Sequence, residues 1–215
     1  AIARKLREYN HVECDGESEV TVTCGTTEGM MASLLALLDP RDEVVILEPF
    51  YENYGPDTIL SGAKCRYVKL NEPRFKIDER TLGEVFSRKT KAIIVNTPHN
   101  PTGRVFTRQE LRVISDLCQD HDAFAITDEI YEHILYDGRE HASLASLDGM
   151  ENRTVSISGF NEYFEVYKPL LEKIIETIKL PKPKVSYKDP NAASLPSLDV
   201  TKFSNDFVEF EHPQN

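Results

Sequence analysis

The stretch Lys91–Tyr136, KAIIVNTPHNPTGRVFTRQELRVISDLCQDHDAFAITDEIYEHILY, carries the pattern that fixes the fold class. Two short apolar runs, Ala92–Val95 (AIIV) and Ala123–Ile126 (AFAI), bracket a segment with helical spacing. Runs this short, uninterrupted and rich in apolar residues predict buried strands of a parallel sheet, so the stretch predicts one strand-helix-strand unit. Polar residues follow each strand: Asn96 and Asn100 after the first, Asp128 and Tyr131 after the second. In open α/β sheets ligands bind beyond that edge. Asn100-Pro101-Thr102-Gly103 predicts a sharp turn, because Pro fixes φ and Gly tolerates dihedrals closed to other residues. An ordinary loop, with Thr107 capping the next helix, would account for any one of these residues alone.

The unit repeats on both sides. Ala1–Tyr9 has helical spacing, with Ile2, Leu6 and Tyr9 in register, and Val20–Cys24 (VTVTC) alternates like a strand. Gly25-Thr26-Thr27-Glu28-Gly29 then leads into an apolar helix over Met30–Leu38, stopped by Asp39-Pro40. A strand, a small-residue turn and a helix N-terminus together make an anion site, although many α/β proteins carry that arrangement without a ligand. Glu43–Leu47 (EVVIL) and Lys64–Leu70 read as strands, Asp78–Arg88 as a helix capped by Asp78, Leu111–His121 as an amphipathic helix and Thr154–Ser158 as a last strand. Tyr51, in the aromatic run after Glu43–Leu47, reads as core on composition alone. Alternating strands and helices predict an α/β fold with a mostly parallel, mixed sheet sandwiched by helices.

A chain of 215 residues with net charge −11 has enough length for a sizeable core and the wrong sign for nucleic acid or anionic membrane surfaces. No apolar run is long enough to cross a bilayer and no secretory segment opens the chain. Cys14, Cys24, Cys65 and Cys118 are widely spaced, which predicts reduced, mostly buried thiols in a cytoplasmic protein. The scattered histidines, His133 and His141 among them, have no metal-ligand spacing, so no metal is expected.

Taken together, Asn96-Thr97-Pro98-His99-Asn100-Pro101-Thr102-Gly103 and Thr127-Asp128-Glu129-Ile130-Tyr131 closely resemble the large domain of the class I/II aminotransferases, the fold-type I enzymes that use pyridoxal phosphate (PLP). The resemblance implies a PLP-dependent transferase acting on an amino acid and a 2-oxo acid, working as a dimer or larger homo-oligomer. It implies that Asn100 and Tyr131 hydrogen-bond the cofactor's phenolic oxygen, that Asp128 pairs with its ring nitrogen, that Tyr51 stacks on the ring, and that Gly25, Thr26 and Thr27 hold its phosphate. A carboxylate at the ring nitrogen keeps it protonated, and the ring can then accept electrons.

The resemblance covers about residues 1–160 and then stops. Asn161 and Glu162 stand where the family has Ser and the Schiff-base Lys, and Leu170 stands where its phosphate-binding Arg belongs. Beyond this point Phe164, Tyr167, Leu171, Ile174 and Ile178 predict an amphipathic helix over residues 161–180, and the proline-punctuated stretch 181–215 reads as a poorly ordered tail. Lys168 falls late for the lysine role. The chain therefore reads as a truncated large domain. Its activity is left open between an aminotransferase, a catalytically impaired PLP-binding pseudoenzyme or binding module, and a rearranged or engineered fragment.

Overall fold

The computed structural model of the chain describes residues 1–159. Its centre is a five-stranded sheet in the order β2-β1-β3-β4-β5, formed by Glu43–Glu48 (β1), Lys64–Lys69 (β2), Thr90–Asn96 (β3), Phe124–Asp128 (β4) and Thr154–Ile157 (β5). All four pairings among the described residues are parallel, in keeping with the mostly parallel sheet expected. Parallel neighbours need crossovers, and helices supply them. Tyr54–Leu60 (α3) joins β1 to β2, Glu79–Val85 (α4) joins β2 to β3, and Arg108–Asp120 (α5) joins β3 to β4. Near the start of the chain lie α1 (Ile2–Lys5), a π-helical turn over Leu6–Asn10, and α2 (Gly25–Leu37).

The apolar strand runs are uninterrupted because both sheet faces are covered. On one face Val45, Leu47, Ile93, Val95 and Ala125 pack with Leu82 of α4 and with Leu111 and Ile114 of α5. On the other, Val44, Ile46, Ala92, Ile94 and Ile126 meet Met30 and Leu34 of α2. Alternate residues of one strand thus belong to different cores, as the two-residue period of a strand demands.

Local signals set the helix limits. Thr107 and Glu110 form a reciprocal capping box at the start of α5, and the Asp78 side chain accepts from Thr81 N–H at the start of α4. That helix stops at Val85, short of the predicted Arg88, since Phe86 turns extended. The strand expected over Val20–Cys24 does not form. A strand needs a ladder partner; β4 already occupies one side of β5, and no described strand pairs with this segment, whose Val22 is left exposed. The expected helix over residues 161–180, Glu162, Lys168, Leu170 and the tail over 181–215 lie outside the described residues. No described helix is long and apolar enough to cross a membrane.

The thiols also depart from expectation. All four described cysteines are free, but only Cys118 is buried; Cys14 and Cys65 are half-buried and Cys24 is exposed.

Candidate functional site

The C-terminal ends of β3 and β4 fall in register, with Asn96 opposite Asp128. Asn96 makes that register a fixed joint. Its Nδ2 donates to the Asp128 carbonyl at 2.9 Å, while its Oδ1 accepts the Asn100 N–H at 2.6 Å. The turn is closed from within: His99 N–H donates to the Arg104 carbonyl at 2.8 Å and Gly103 N–H to the His99 carbonyl at 2.7 Å. Gly103 sits at φ +67°, a conformation that favours glycine. Buried Thr97 accepts the Phe106 N–H on its hydroxyl at 3.1 Å, anchoring the far end of the turn to the core. The outcome is that Asn100 is presented toward Tyr131, with Asn100 Nδ2 at 3.5 Å from the Tyr131 hydroxyl.

Asp128 closes β4 and is 8% exposed. Tyr54 donates to its Oδ2 at 2.6 Å and Ile130 N–H donates to its Oδ1 at 3.2 Å. Burial raises the carboxyl above the usual aspartate range; the Tyr54 and Ile130 hydrogen bonds oppose that rise, and neighbouring Glu129 adds to it. The Tyr54 phenol is pushed up by its own burial first and by Asp128 next, so it remains a donor. Tyr131 and Tyr51 lie near enough to the Tyr54 phenol to add to that rise. The Tyr51 and Tyr54 rings meet edge to face, with centroids 5.6 Å apart at 72°.

Thr26, Thr27, Tyr51, Tyr54, Asp57 and Asp128 line one narrow crevice. Its floor is the N-terminus of α2, where first-turn N–H groups and the helix dipole favour an anion. Thr26 and Thr27, in the first turn of α2, both line it. Gly25 does not line the crevice: its N–H donates to the Thr23 carbonyl at 2.9 Å. Its contribution is a backbone φ of +82°, which turns the chain into the helix. Gly159 permits a close approach, since a Cβ there would lie 3.1 Å from Thr26 Cγ2 and 3.2 Å from Ile130 Cδ1. Asn100 and Tyr131 are joined to the same strand edge through Asn96 and form a polar pair outside the crevice lining.

Sequence reasoning assigned no part to Tyr54 and no specific task to Asn96. Asn96 was visible as a polar residue ending an apolar strand; Tyr54 lay in an aromatic run that composition assigns to the core. Nor did it find the buried carboxylates Glu129 and Glu132, which face away from the crevice and are held by Asn10, His141 and Ser143.

The family model for aminotransferase class I and II matches residues 1–163. The aspartate aminotransferase of Pyrococcus abyssi (strain GE5 / Orsay) is 41% identical over 167 residues, which are 76% of this chain and 42% of that protein. Kynurenine–oxoglutarate transaminase 3 of Mus musculus is 42% identical over 164 residues, 72% of this chain and 36% of its own length. Among solved structures, N-succinyldiaminopimelate aminotransferase from Mycobacterium tuberculosis superposes with a TM-score of 0.72 at 40% identity, over 74% of this chain and 42% of that one. A double mutant of Thermus thermophilus aspartate aminotransferase gives 0.71 at 30% identity, over 84% and 50%. The chain thus spans less than half the length of these curated relatives.

Proposed function

The chain belongs to the class I and II aminotransferase family, and we propose that its first 160 or so residues are the cofactor-holding part of a PLP-dependent aminotransferase, which moves an amino group between an amino acid and a 2-oxo acid. The observation that carries this reading is convergence. A buried carboxylate, a half-buried aromatic ring, a helix N-terminus and an amide–phenol pair gather at one edge of a parallel sheet. Those groups suit a flat pyridine with a phosphate tail and a phenolic oxygen. When bound, PLP supplies the electron sink for the amino-acid chemistry.

Each residue then has one task. Asp128 holds a proton on the ring nitrogen. Tyr54 donates to Asp128 and favours its anionic form against the burial that opposes it. Tyr51 would pack on the ring face, Asn100 and Tyr131 would hold the phenolic oxygen, and Thr26 and Thr27 would hold the phosphate. Asp57 is the ill-matched group: one carboxylate oxygen is buried without a hydrogen-bond partner and burial raises its pKa, so its neutral form suits a phosphate neighbour best.

Glu162 is in the place of the family's lysine. Proton transfer in the amino-acid chemistry needs a positioned base, and a glutamate cannot form the covalent link that lysine makes. We therefore assign this chain cofactor binding first and amino transfer only weakly, in a cytoplasmic homo-oligomer.

The test is a spectrophotometric titration of the full chain with PLP. Saturable binding that weakens at least tenfold in Asp128→Asn and in Tyr51→Ala supports the reading. Absence of saturable binding, or binding by both variants as tight as that of the unaltered protein, overturns it.

A further inference from the structure

The loop after β4 has two sides. Asp128 and Tyr131 serve the candidate cofactor edge, while Glu129 and Glu132 turn inward and are 2% and 0% exposed. Two adjoining buried carboxylates repel each other and lose hydration, so they stay in place only if other groups hold them. The first ten residues of the chain do this. Asn10, 3% exposed, uses one amide nitrogen to bridge both, with Nδ2 donating to Glu129 Oε2 at 3.1 Å and to Glu132 Oε2 at 2.6 Å. Lys5 places its ammonium on Glu132 Oε1, and Ser158 donates to the same oxygen at 2.8 Å. Tyr9 donates to the Glu132 carbonyl at 2.9 Å and sets its ring 4.2 Å from that of His133.

The rest of the cluster completes Glu129. Thr127 and Ser143 donate to its Oε1 at 2.9 and 2.7 Å, and His141 Nε2 lies 2.9 Å from its Oε2. Burial works against the Glu132 carboxylate, yet the hydrogen bonds from Lys5 and Asn10 outweigh it and hold its pKa below the usual range. Ligand atoms of Glu129, Glu132 and His141 come within 4.8 Å of one another, but Lys5 and Asn10 already engage the two carboxylates and His141 Nε2 faces Glu129, so the cluster is held together by its own side chains.

We propose that Lys5 and Asn10 are positioning residues: by clamping Glu129 and Glu132 from behind, the N-terminal segment sets where Asp128 and Tyr131 stand. The backbone from Asp128 to Glu132 is short and continuous, and its two inward residues are held by a segment more than a hundred positions away in sequence (Asn10 to Glu129 spans 119, Lys5 to Glu132 spans 127). Release of the clamp frees the inward side of the loop and so the outward side with it. The cofactor consequence rests on the function proposed above; the clamp itself does not.

Two measurements on the full chain separate these. In the first, without cofactor, amide hydrogen exchange is compared between the unaltered protein and Asn10→Leu, Lys5→Met and Lys5→Arg. The clamp predicts that exchange over residues 129–134 rises at least tenfold in Asn10→Leu, rises less in Lys5→Met, and is restored by Lys5→Arg, while α5 and β1 are unchanged. Uniform acceleration across the molecule, or no change in the loop, overturns the proposal. Lys5→Met lies at the partly exposed end of the cluster and keeps the experiment informative if Asn10→Leu fails to fold.

In the second measurement, binding of PLP is compared with binding of its analogue that has carbon in place of the ring nitrogen. The unaltered protein should prefer PLP at least tenfold, and Asn10→Leu should lose most of that preference. A preference retained in full by Asn10→Leu overturns the coupling to Asp128. No preference in the unaltered protein overturns the cofactor reading instead, and the exchange experiment still decides the clamp.

Discussion

Tyr54 and Asp128 are joined by a buried hydrogen bond of 2.6 Å that ties the first turn of α3 to the last residue of β4. The contact crosses the sheet, because β4 is separated from β1, the strand preceding α3, by β3. Its electrostatic sense is fixed. Burial favours the neutral acid at Asp128, and a phenol that cannot ionise near neutral pH donates to favour the anion.

Tyr54→Phe keeps the ring and removes the donor. A hydrogen bond to a charged group contributes about 1.5–3 kcal/mol, so the Asp128 carboxyl rises further and PLP affinity falls about tenfold or more. Absorbance titration at neutral pH checks this; unchanged affinity would show that Asp128 does not depend on Tyr54.

Asp128→Asn trades stability against function. The folded pKa of Asp128 is raised, so the folded state binds its proton more readily than the unfolded chain does, and stability attributable to this group falls as pH rises through that raised value. The neutral amide escapes that loss. Asp128→Asn should therefore melt higher than the unaltered protein at pH 7, with the gain vanishing as pH falls below the Asp128 pKa. Thermal melts without cofactor at several pH values read the difference.

His99 has the opposite sign. Burial first, and the charge of Arg104 second, bring its pKa down from 6.5 to about 4. The folded state thus resists a proton that the unfolded chain accepts. Stability is fully present above pH 6.5 and is lost as pH falls toward 4, by about 3 kcal/mol over the whole window. Urea midpoints at pH 7 and pH 5 should differ strongly in the unaltered protein and much less in His99→Gln. Equal slopes in the two proteins would place the acid sensitivity elsewhere.

How much of this was legible in the sequence depends on what holds each element. The strands of the parallel sheet were plain, because burial on both faces leaves uninterrupted apolar runs such as Ala92–Val95. Helix starts were plain where a side chain caps them, as Thr107 and Asp78 do. Val20–Cys24 was misread because alternation reports a residue's faces and not the presence of a ladder partner. Thr26, Thr27, Tyr51, Asn100, Asp128 and Tyr131 were singled out through resemblance to a known motif, and the structure places Thr26, Thr27, Tyr51 and Asp128 around one crevice. Asn10, Glu129 and Glu132 were not legible, since their meaning lies in contacts between residues 119 to 122 positions apart, and no local pattern records such a pairing.

The exposed apolar side chains of α2 and α3 predict association. Leu35, Ile59 and Leu60 are 56%, 65% and 71% exposed, and the two helices pack against each other. Large apolar patches on a protein surface mark interaction sites. Light scattering at micromolar concentration should give a dimer or larger species, and the pair Ile59→Lys with Leu60→Glu should shift it to monomer with the far-ultraviolet circular dichroism retained. A monomeric unaltered protein would sink the prediction.

The position of Glu162 gives the sharpest chemical test. On the reading that Glu162 and Leu170 stand at the family's lysine and arginine positions in sequence, a carboxylate cannot form the covalent link to PLP and no cation is supplied for its phosphate. Treating the unaltered protein with PLP and then borohydride should leave the peptide bearing residue 162 unmodified. Glu162→Lys restores an amine, so the same treatment should add the cofactor's mass to that peptide. Turnover should remain poor in this variant, because Leu170 still offers nothing to the phosphate; a missing general acid–base alone costs about a hundredfold or more, and the variant recovers only that part. Peptide mapping by mass spectrometry reads the site of modification, and a coupled assay for the 2-oxo acid product reads transfer. A PLP adduct on Lys168 of the unaltered protein, together with measurable transamination, would overturn the assignment of weak transfer and make Lys168 the working amine.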